Sequence, residues 1–158
     1  MSKLSEGDAA PDFSATTTDG RPIRLRDFVG QTGLVIFFYP KDGTRICTAE
    51  ACAFRDSYAL FTEAGFEVIG ISGDSAESHS QFASEHQLPF PLIADQDGSL
   101  RRLFGVPRVL GLLPGRVTYV INSAGKICRI FSAAFASDEH VQQALEAIKS
   151  APGGYVPA

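Results

Sequence analysis

The apolar positions of the chain follow two different periods. A continuous apolar run covers Gly33–Tyr39, and a second, largely apolar run covers Phe66–Ser72; both are too short for helices and rich in β-branched or aromatic residues. Such runs are typical of strands that are buried on both faces. Between them, apolar residues recur every three or four positions, which predicts an amphipathic helix from about Thr48 to Ala64. Strands that alternate with helices in this way predict an α/β layered fold.

Turn and capping residues delimit the shorter elements. Asp19-Gly20 predicts a turn between two extended pieces near the N-terminus, Asp12–Thr17 and Pro22–Arg26. Asp74 and Glu77 resemble the capping box of a helix. The other predicted elements are the continuation of that helix to about His86, a strand at Pro91–Ala94, a short helix at Ser99–Phe104, a hairpin of Arg116–Ile121 with Lys126–Phe131, and a last helix capped by Ser137.

Length and charge then exclude several classes of protein. A chain of 158 residues has the length of one domain, so we expect a single domain over 1–158 with a frayed tail at 151–158. The net charge is -4 and there is no basic run, which disfavours a nucleic-acid binder. The longest apolar run, Leu34–Tyr39, is too short to cross a membrane. With no apolar secretory segment and three cysteines, the chain is expected to be cytoplasmic.

Candidate chemistry centres on Cys47, which follows the predicted central strand and stands at the start of the predicted helix. Open α/β sheets bind their ligands beyond the carboxyl ends of their strands. The unpaired N–H groups and positive end of a helix also favour a thiolate over a thiol. An ordinary thiol is only about 3% ionised at pH 7, so ionisation alone gains about 30-fold. A fast thiol enzyme therefore also needs donors that stabilise the transition state.

Cys52 lies five residues after Cys47. In a continuous α-helix this spacing separates the two Cα atoms by roughly 8.6 Å and directs the side chains to different faces. A disulfide needs Cα atoms within about 7 Å. If the two cysteines form a disulfide, the start of the helix must therefore unwind.

Other polar and glycine-rich positions carry weaker signals. Cys128 lies on a predicted hairpin strand and is interpreted as core or surface filler. The three histidines, His79, His86 and His140, are predicted on solvated helix faces and not in a metal site. Gly111–Gly115 lacks the spacing of a phosphate-binding loop and is interpreted as a loop whose apolar residues line an entrance for a bulky ligand or form a contact patch.

Four segments form one set of motifs: Asp8-x-x-Pro11-Asp12-Phe13, Pro40-x-x-x-Thr44-x-x-Cys47, Cys47-Thr48-x-Glu50-Ala51-Cys52-x-Phe54-Arg55-Asp56 and Gly115-Arg116-Val-Thr-Tyr-Val-Ile. These segments resemble the peroxiredoxin family and, within it, the PrxQ or bacterioferritin comigratory protein branch. They cover nearly the whole chain in the family's order.

The resemblance implies a thioredoxin-like fold, with a central mixed sheet flanked by helices and an N-terminal hairpin, and a thiol-dependent peroxidase. Cys47 is then the peroxidatic nucleophile and Cys52 the resolving cysteine. Thr44 binds the peroxide, Arg116 stabilises the thiolate and the developing charge, and Pro40 shields the sulfur. The implied partners are a hydroperoxide and thioredoxin or a similar dithiol reductant. The resemblance implies that no metal or organic cofactor is needed. Charge and apolar run length predict neither nucleic acid nor a membrane as a partner, and we expect a monomer, with a weak dimer as the alternative.

One departure from the branch stands next to the nucleophile. PrxQ sequences usually read Thr-Pro-Gly-Cys, whereas this chain has Arg45 and Ile46 before Cys47. The added positive charge and the stiff β-branched residue predict a thiol that ionises more readily, with an altered peroxide preference or unfolding rate.

Two other classes of function stay open on the residues alone. The first is a protein disulfide oxidoreductase or thiol redox sensor that uses the Cys47–Cys52 pair, although a tight Cys-x-x-Cys is more typical of that class. The second is a non-catalytic binding module on the same frame. Loss of Cys47 or Arg116 would mark that module, and both are present.

Overall fold

A computed structural model of the chain describes residues 4–109 and 113–150. The strands are β1 (Ser14–Thr16), β2 (Pro22–Arg24), β3 (Gly33–Phe38), β4 (Phe66–Ser72), β5 (Leu92–Ala94), β6 (Arg108–Val109), β7 (Leu113–Pro114), β8 (Val117–Ile121) and β9 (Ile127–Ser132). The helices are α1 (Arg45–Asp56), α2 (Tyr58–Glu63), α3 (Ala76–Glu85), α4 (Ser99–Phe104) and α5 (Asp138–Ser150), with a 3₁₀ turn at Leu25–Asp27.

The central sheet has five strands in the order β5-β4-β3-β8-β9. β3, β4 and β5 are parallel to one another, while β8 runs antiparallel to β3 and β9 runs antiparallel to β8. A mixed sheet of this kind confirms the expected central sheet. None of the helices within the described residues is long and apolar enough to cross a membrane.

Side chains from β3 enter two separate hydrophobic clusters, because successive residues of a strand point to opposite faces. Ile36 and Phe38 pack on one face with Phe104 of α4. Val35 and Phe37 pack on the other face with residues of the remaining four helices. Every residue of β3 is buried, which is the physical reason why this strand has a continuous apolar sequence.

The N-terminal hairpin is also confirmed. β1 and β2 pair in antiparallel register around the predicted Asp19-Gly20 turn, with Ala15 opposite Ile23. An isolated bridge from Thr17 to Ile93 attaches this hairpin to the edge of the central sheet.

Two sequence-based expectations about helices are wrong. The helix predicted from Thr48 to Ala64 is two helices, α1 and α2, separated at Ser57. The break lets α1 and α2 each direct one aromatic side chain into the same hydrophobic cluster. Phe54 and Phe61 are both fully buried, and their rings lie 5.8 Å apart. Because the apolar spacing continues across Ser57, periodicity alone does not indicate the break.

The second correction concerns the start of α3. Its N-cap is Ser75, whose hydroxyl accepts a hydrogen bond from the Ser78 backbone N–H at 3.1 Å. The expected capping residue, Asp74, instead accepts hydrogen bonds from the Asp42 N–H and from the hydroxyl of Ser72. The short helix Ser99–Phe104 is found where it was expected. The expected frayed tail and residues 110–112 of the expected loop lie outside the described residues.

Strand register brings two distant parts of the chain together. Phe38 of β3 pairs with Val117 of β8, so the residues just beyond β3 lie beside Arg116, which directly precedes β8. Gly115 is necessary here because a Cβ at this position would collide with the backbone carbonyl of Pro107. The loop after β3, the start of α1 and Arg116 therefore share one end of the sheet.

Candidate active site

Cys47 is the third residue of α1, and its side chain is only 1% exposed. Thr44 is the N-cap of this helix but makes no side-chain capping bond. The first N–H groups of a helix lack partners within it and carry a partial positive charge. The helix thus presents positive potential to the Cys47 sulfur.

Arg116 lies against Cys47 and supplies the largest positive charge at this sulfur. Its Nη2 donates a hydrogen bond to the Cys47 Sγ at 3.1 Å. Its Nη1 donates to the Glu50 carboxylate at 2.5 Å, and its Nε donates to the backbone carbonyl of Ala134 at 3.0 Å. These three bonds hold the buried guanidinium plane in one orientation, which a planar fork of donors permits and a lysine ammonium does not.

Glu50 is fully buried one helical turn after Cys47. Burial raises the pKa of Glu50 to about 8, even though the charge and hydrogen bond of Arg116 act in the opposite direction. In this site a single positive charge faces two acids, the Cys47 thiol and the Glu50 carboxyl. A protonated Glu50 leaves the charge of Arg116 free to compensate a Cys47 thiolate.

His140 of α5 lies behind Glu50 and is neutral. Its ring is fully buried, and burial together with the charge of Arg116 lowers the pKa of His140 to about 4. The ring Nε2 donates to the Ala133 carbonyl at 2.9 Å, and its Nδ1 accepts from the Thr118 hydroxyl at 2.8 Å. Since the ring is uncharged near pH 7, its 3.6 Å approach to Glu50 is not an ion pair.

A cavity of about 700 Å³ opens onto Cys47. Within the described residues it is lined by Pro40, Thr44, Arg45, Ile46, Cys47, Ala49, Arg116, Ala134, Phe135 and Ser137. The Thr44 hydroxyl donates its proton to the Lys41 carbonyl at 2.9 Å, so its oxygen keeps lone pairs that can accept a hydrogen bond from a ligand.

The apolar wall of this cavity comes from α1 and from the segment between β9 and α5. Ile46 and Ala49 line one side, and Ala134 and Phe135 line the other. Phe135 is 80% exposed, an unusual position for a large apolar side chain. The expected apolar entrance from Gly111–Gly115 falls largely outside the described residues and stays a prediction.

Cys52 lies on α1 outside this cavity and is half-buried. Both Cys47 and Cys52 are free thiols within one continuous helix. The helical spacing that predicts unwinding before a disulfide forms is therefore present. Cys128 on β9 is half-buried, and burial raises the pKa of its thiol.

A second buried polar cluster holds the loop between β3 and α1. The Asp42 carboxylate accepts hydrogen bonds from the Tyr39 hydroxyl at 2.6 Å, from the Ser78 hydroxyl at 2.8 Å and from His79 Nδ1 at 2.6 Å. Burial pushes the pKa of Asp42 up, but these bonds and the neighbouring His79 outweigh it and leave the pKa below its ordinary value. The loop carrying Pro40 and Thr44 is thereby tied to α3.

The expectation of solvated histidines is wrong for His79 and His140, which are both 0% exposed. The other ring nitrogen of His79 lies 3.0 Å from the Ile93 carbonyl, so both nitrogens face acceptors. His79, Asp42 and Asp74 lie within 4.8 Å of one another, as metal ligands would. However, the 2.6 Å approach of His79 to Asp42 is a hydrogen bond and leaves no room for a bridging cation.

Comparison with known proteins identifies the family. The sequence profile of the AhpC/TSA family matches residues 6–130. The chain is 43% identical over 151 residues to a chloroplastic peroxiredoxin Q of Sedum lineare, covering 95% of this chain and 81% of that protein. It is 44% identical over 152 residues to the chloroplastic peroxiredoxin Q of Arabidopsis thaliana, covering 96% of this chain and 70% of that protein. The chain belongs to the AhpC/TSA family.

Solved structures of peroxiredoxins agree with this assignment. Peroxidoxin BcpB of Mycobacterium tuberculosis superimposes with a TM-score of 0.85 at 34% identity, covering 93% of this chain and 97% of that one. Peroxiredoxin Q of Xanthomonas campestris superimposes with a TM-score of 0.79 at 31% identity, covering 87% of this chain and 90% of that one. The peroxiredoxin resemblance and the thioredoxin-like fold expected from the sequence are thus confirmed.

Four of the five expected site residues of this peroxiredoxin line one cavity: Pro40, Thr44, Cys47 and Arg116. The fifth, Cys52, does not. Sequence reasoning assigned no role to Glu50, although a signal was available. Glu50 stands three residues after Cys47 and four before the core residue Phe54, so it is an acid on the buried face of the helix.

Proposed function

We propose that this peroxiredoxin reduces hydroperoxides through a Cys47 thiolate. The thiolate attacks one peroxide oxygen, an S–O bond forms and the O–O bond breaks. The second oxygen leaves with the electron pair and takes up a proton, giving water or an alcohol, while Cys47 becomes a sulfenic acid. The observation that carries the proposal is the 3.1 Å hydrogen bond from Arg116 to the Cys47 sulfur in a cavity open to a ligand.

Three residues assist this step in the proposal. Arg116 donates to the thiolate and to the charge that develops on the leaving oxygen. The Thr44 oxygen, whose own proton is committed to Lys41, accepts a hydrogen bond from the peroxide O–H and orients it. Pro40 lines the cavity beside Cys47 and shields the sulfur from water.

Glu50 sets the charge balance of the site. With its pKa raised to about 8 by burial, Glu50 is protonated over most of the neutral range, and Arg116 then compensates one negative charge, that of the thiolate. Its buried carboxyl also fixes the guanidinium in the orientation that faces Cys47.

Cys52 is the resolving cysteine in this proposal. Its thiol condenses with the Cys47 sulfenic acid, releasing water and forming an intramolecular disulfide. The first turns of α1 unwind to bring the sulfurs together, because a continuous helix keeps them apart. Thioredoxin or a similar dithiol protein then reduces the disulfide. Sulfur carries both electrons, so this cycle requires no metal or organic cofactor.

The shape of the cavity supports organic hydroperoxides as substrates beside hydrogen peroxide. Its volume of about 700 Å³ exceeds what hydrogen peroxide needs, and its apolar wall suits an alkyl group. The single-domain organisation, the monomeric state and the cytoplasmic location stay predictions. The relatives that the chain matches are named chloroplastic.

Peroxide consumption with thioredoxin, thioredoxin reductase and NADPH tests this function. The wild-type protein is expected to turn over. Cys47→Ser is expected to abolish consumption, and Cys52→Ser to consume about one equivalent and then stop. An inactive wild type, or a Cys47→Ser variant as active as the wild type, would falsify the proposal and favour a thiol redox sensor or a binding module.

A further inference from the structure

The half-buried resolving thiol has a basic side chain as its neighbour. The Cys52 Sγ lies 3.9 Å from the Nδ1 of His86, within the range of a hydrogen bond to sulfur. His86 follows the last residue of α3, 34 residues away in sequence. Only the packing of α3 beside α1 brings the two together, and the proposed chemistry at Cys47 does not use His86.

The position of the His86 imidazole is fixed from two sides. Its ring packs edge-on against the Phe82 ring, with 5.0 Å between centroids. Its backbone N–H donates to the Phe82 carbonyl at 3.1 Å, and its backbone carbonyl accepts a hydrogen bond from Arg55 Nη1 at 2.8 Å. The imidazole is therefore held in place and not free to sweep through solvent.

Arg55 also ties the Cys52 end of α1 to the end of α3. In addition, Ala51 and Phe54 on either side of Cys52 are fully buried in the core. The start of α1 has no side-chain bond at its N-cap, and its buried residues Cys47 and Glu50 are bonded to Arg116. In the proposed cycle the Cys47 end of α1 unwinds and Cys52 stays beside His86.

We propose that His86 is the general base that activates the resolving cysteine. This inference rests on the proposed function. Nδ1 of His86 accepts the proton of the Cys52 thiol, and the thiolate electron pair forms the bond to the Cys47 sulfur. The S–O bond of the sulfenic acid breaks, and hydroxide leaves and takes a proton from the imidazolium, giving water. The disulfide and one water are the products, and no further oxidant enters.

The charged groups around this pair are few. From α1, the Arg55 guanidinium interacts electrostatically with the Cys52 side chain. Asp56 binds the same guanidinium at 3.0 Å. From α3, the exposed Glu85 precedes His86, and Phe82 contributes an apolar face.

The test is a single-turnover experiment on His86→Asn and wild type between pH 5.5 and 9. Each protein receives one equivalent of peroxide. Sulfenic acid is trapped with dimedone, and disulfide is counted by mass spectrometry. At pH 7 a thiol without a base is only about 3% ionised. We therefore expect disulfide formation in His86→Asn to be about 10- to 30-fold slower at pH 7. It should return to within about threefold of wild type at pH 9, where thiols ionise unaided.

Glu85→Gln is the matched control at the same helix end and should behave as wild type. Sulfenic acid formation in His86→Asn should keep the wild-type rate, which shows a folded site. A wild type that forms no sulfenic acid would contradict the proposed function itself. Equal rates of disulfide formation in His86→Asn and wild type across the pH range would overturn the role of His86. So would a deficit of equal size at pH 7 and pH 9, because that pattern reflects structural damage.

Discussion

Arg116 offers the sharpest test of how the fold creates the nucleophile. Its guanidinium makes one bond to the Cys47 sulfur, one to Glu50 and one to the Ala134 carbonyl, and the side chain is 3% exposed. Arg116→Gln removes the charge and the fork of donors while keeping a polar side chain. Arg116→Lys keeps the charge but presents it as a single point.

The magnitude follows from the contact with sulfur. A hydrogen bond to a charged group contributes about 1.5–3 kcal/mol, which is about 10- to 150-fold in a rate constant. We expect the second-order rate constant of Arg116→Gln with peroxide to fall in that range at pH 7. Arg116→Lys should retain part of the rate because it keeps the positive charge. It should lose the rest because a lysine cannot contact Cys47 and Glu50 with the same geometry.

The effect on stability should be smaller than for an ordinary buried ion pair. Removing one partner from such a pair costs about 3–5 kcal/mol when the other charge remains. Here burial raises the pKa of Glu50 to about 8 even beside Arg116, so below pH 7 the carboxyl is already protonated and no unpaired charge remains when Arg116 is removed. Below pH 7 we therefore expect a loss of about 1–3 kcal/mol, from the carbonyl and carboxyl that lose their donor.

Rate and stability are measured separately. The chain has no tryptophan, so the peroxide reaction is followed by competition with a haem peroxidase, and unfolding in urea by circular dichroism. Arg116→Gln reacting within threefold of wild type would refute the reasoning, because the hydrogen bond to sulfur would then contribute nothing to the reaction.

Three further predictions concern the buried network and the start of α1. Because burial raises the pKa of Glu50 from 4.5 to about 8, the native state binds a proton that the unfolded chain releases, and the contribution of Glu50 to stability falls as the pH rises through about 8; above pH 6.5 the neutral His140 no longer opposes this decline. Glu50→Gln should flatten this decline in urea unfolding at pH 6 and pH 9, and an unchanged slope would contradict the shift. His79→Gln breaks the buried pair with Asp42 and should lower the melting temperature by on the order of 10 °C. Calorimetry measures this change, and a shift below 2 °C would contradict a structural role of His79. The double change Arg45→Pro with Ile46→Gly should slow alkylation of Cys47 at pH 6, but by less than tenfold because the charge of Arg45 is exposed and screened. It should also alter the relative rates with hydrogen peroxide and alkyl hydroperoxides. Identical alkylation and substrate profiles would show that these two residues have no effect.

Local sequence signals predicted the elements that depend on local chemistry. β3 is visible in the sequence because burial on both faces demands a continuous apolar run. α4 is visible because turn and helix signals bound it within a few residues. The position of Cys47 at a helix start after a central strand follows from the same signals. Ser57 interrupts a helix without interrupting its apolar spacing, so pattern alone did not reveal the break.

The histidines show what sequence alone does not determine. His79 and His140 lie at helical positions that look solvated, yet both are buried. Partners 37 and 14 residues away satisfy the nitrogens of His79, and partners 22 and 7 residues away satisfy those of His140. Glu50 was visible as a residue but not as a buried acid. Glu50 is buried because α1 packs beside α5 and because Arg116, directly before β8, lies against its carboxyl.

The sequence by itself determined the layered fold and indicated Cys47 as the candidate nucleophile, and it predicted that a helix must unwind before a disulfide forms, because strand burial, helix geometry and thiol chemistry are local properties. Tertiary structure decided the charge around Cys47 and the neighbour of Cys52. Arg116 lies 69 positions from Cys47, and His86 lies 34 positions from Cys52. Strand register and helix packing set those distances, and no local pattern records them.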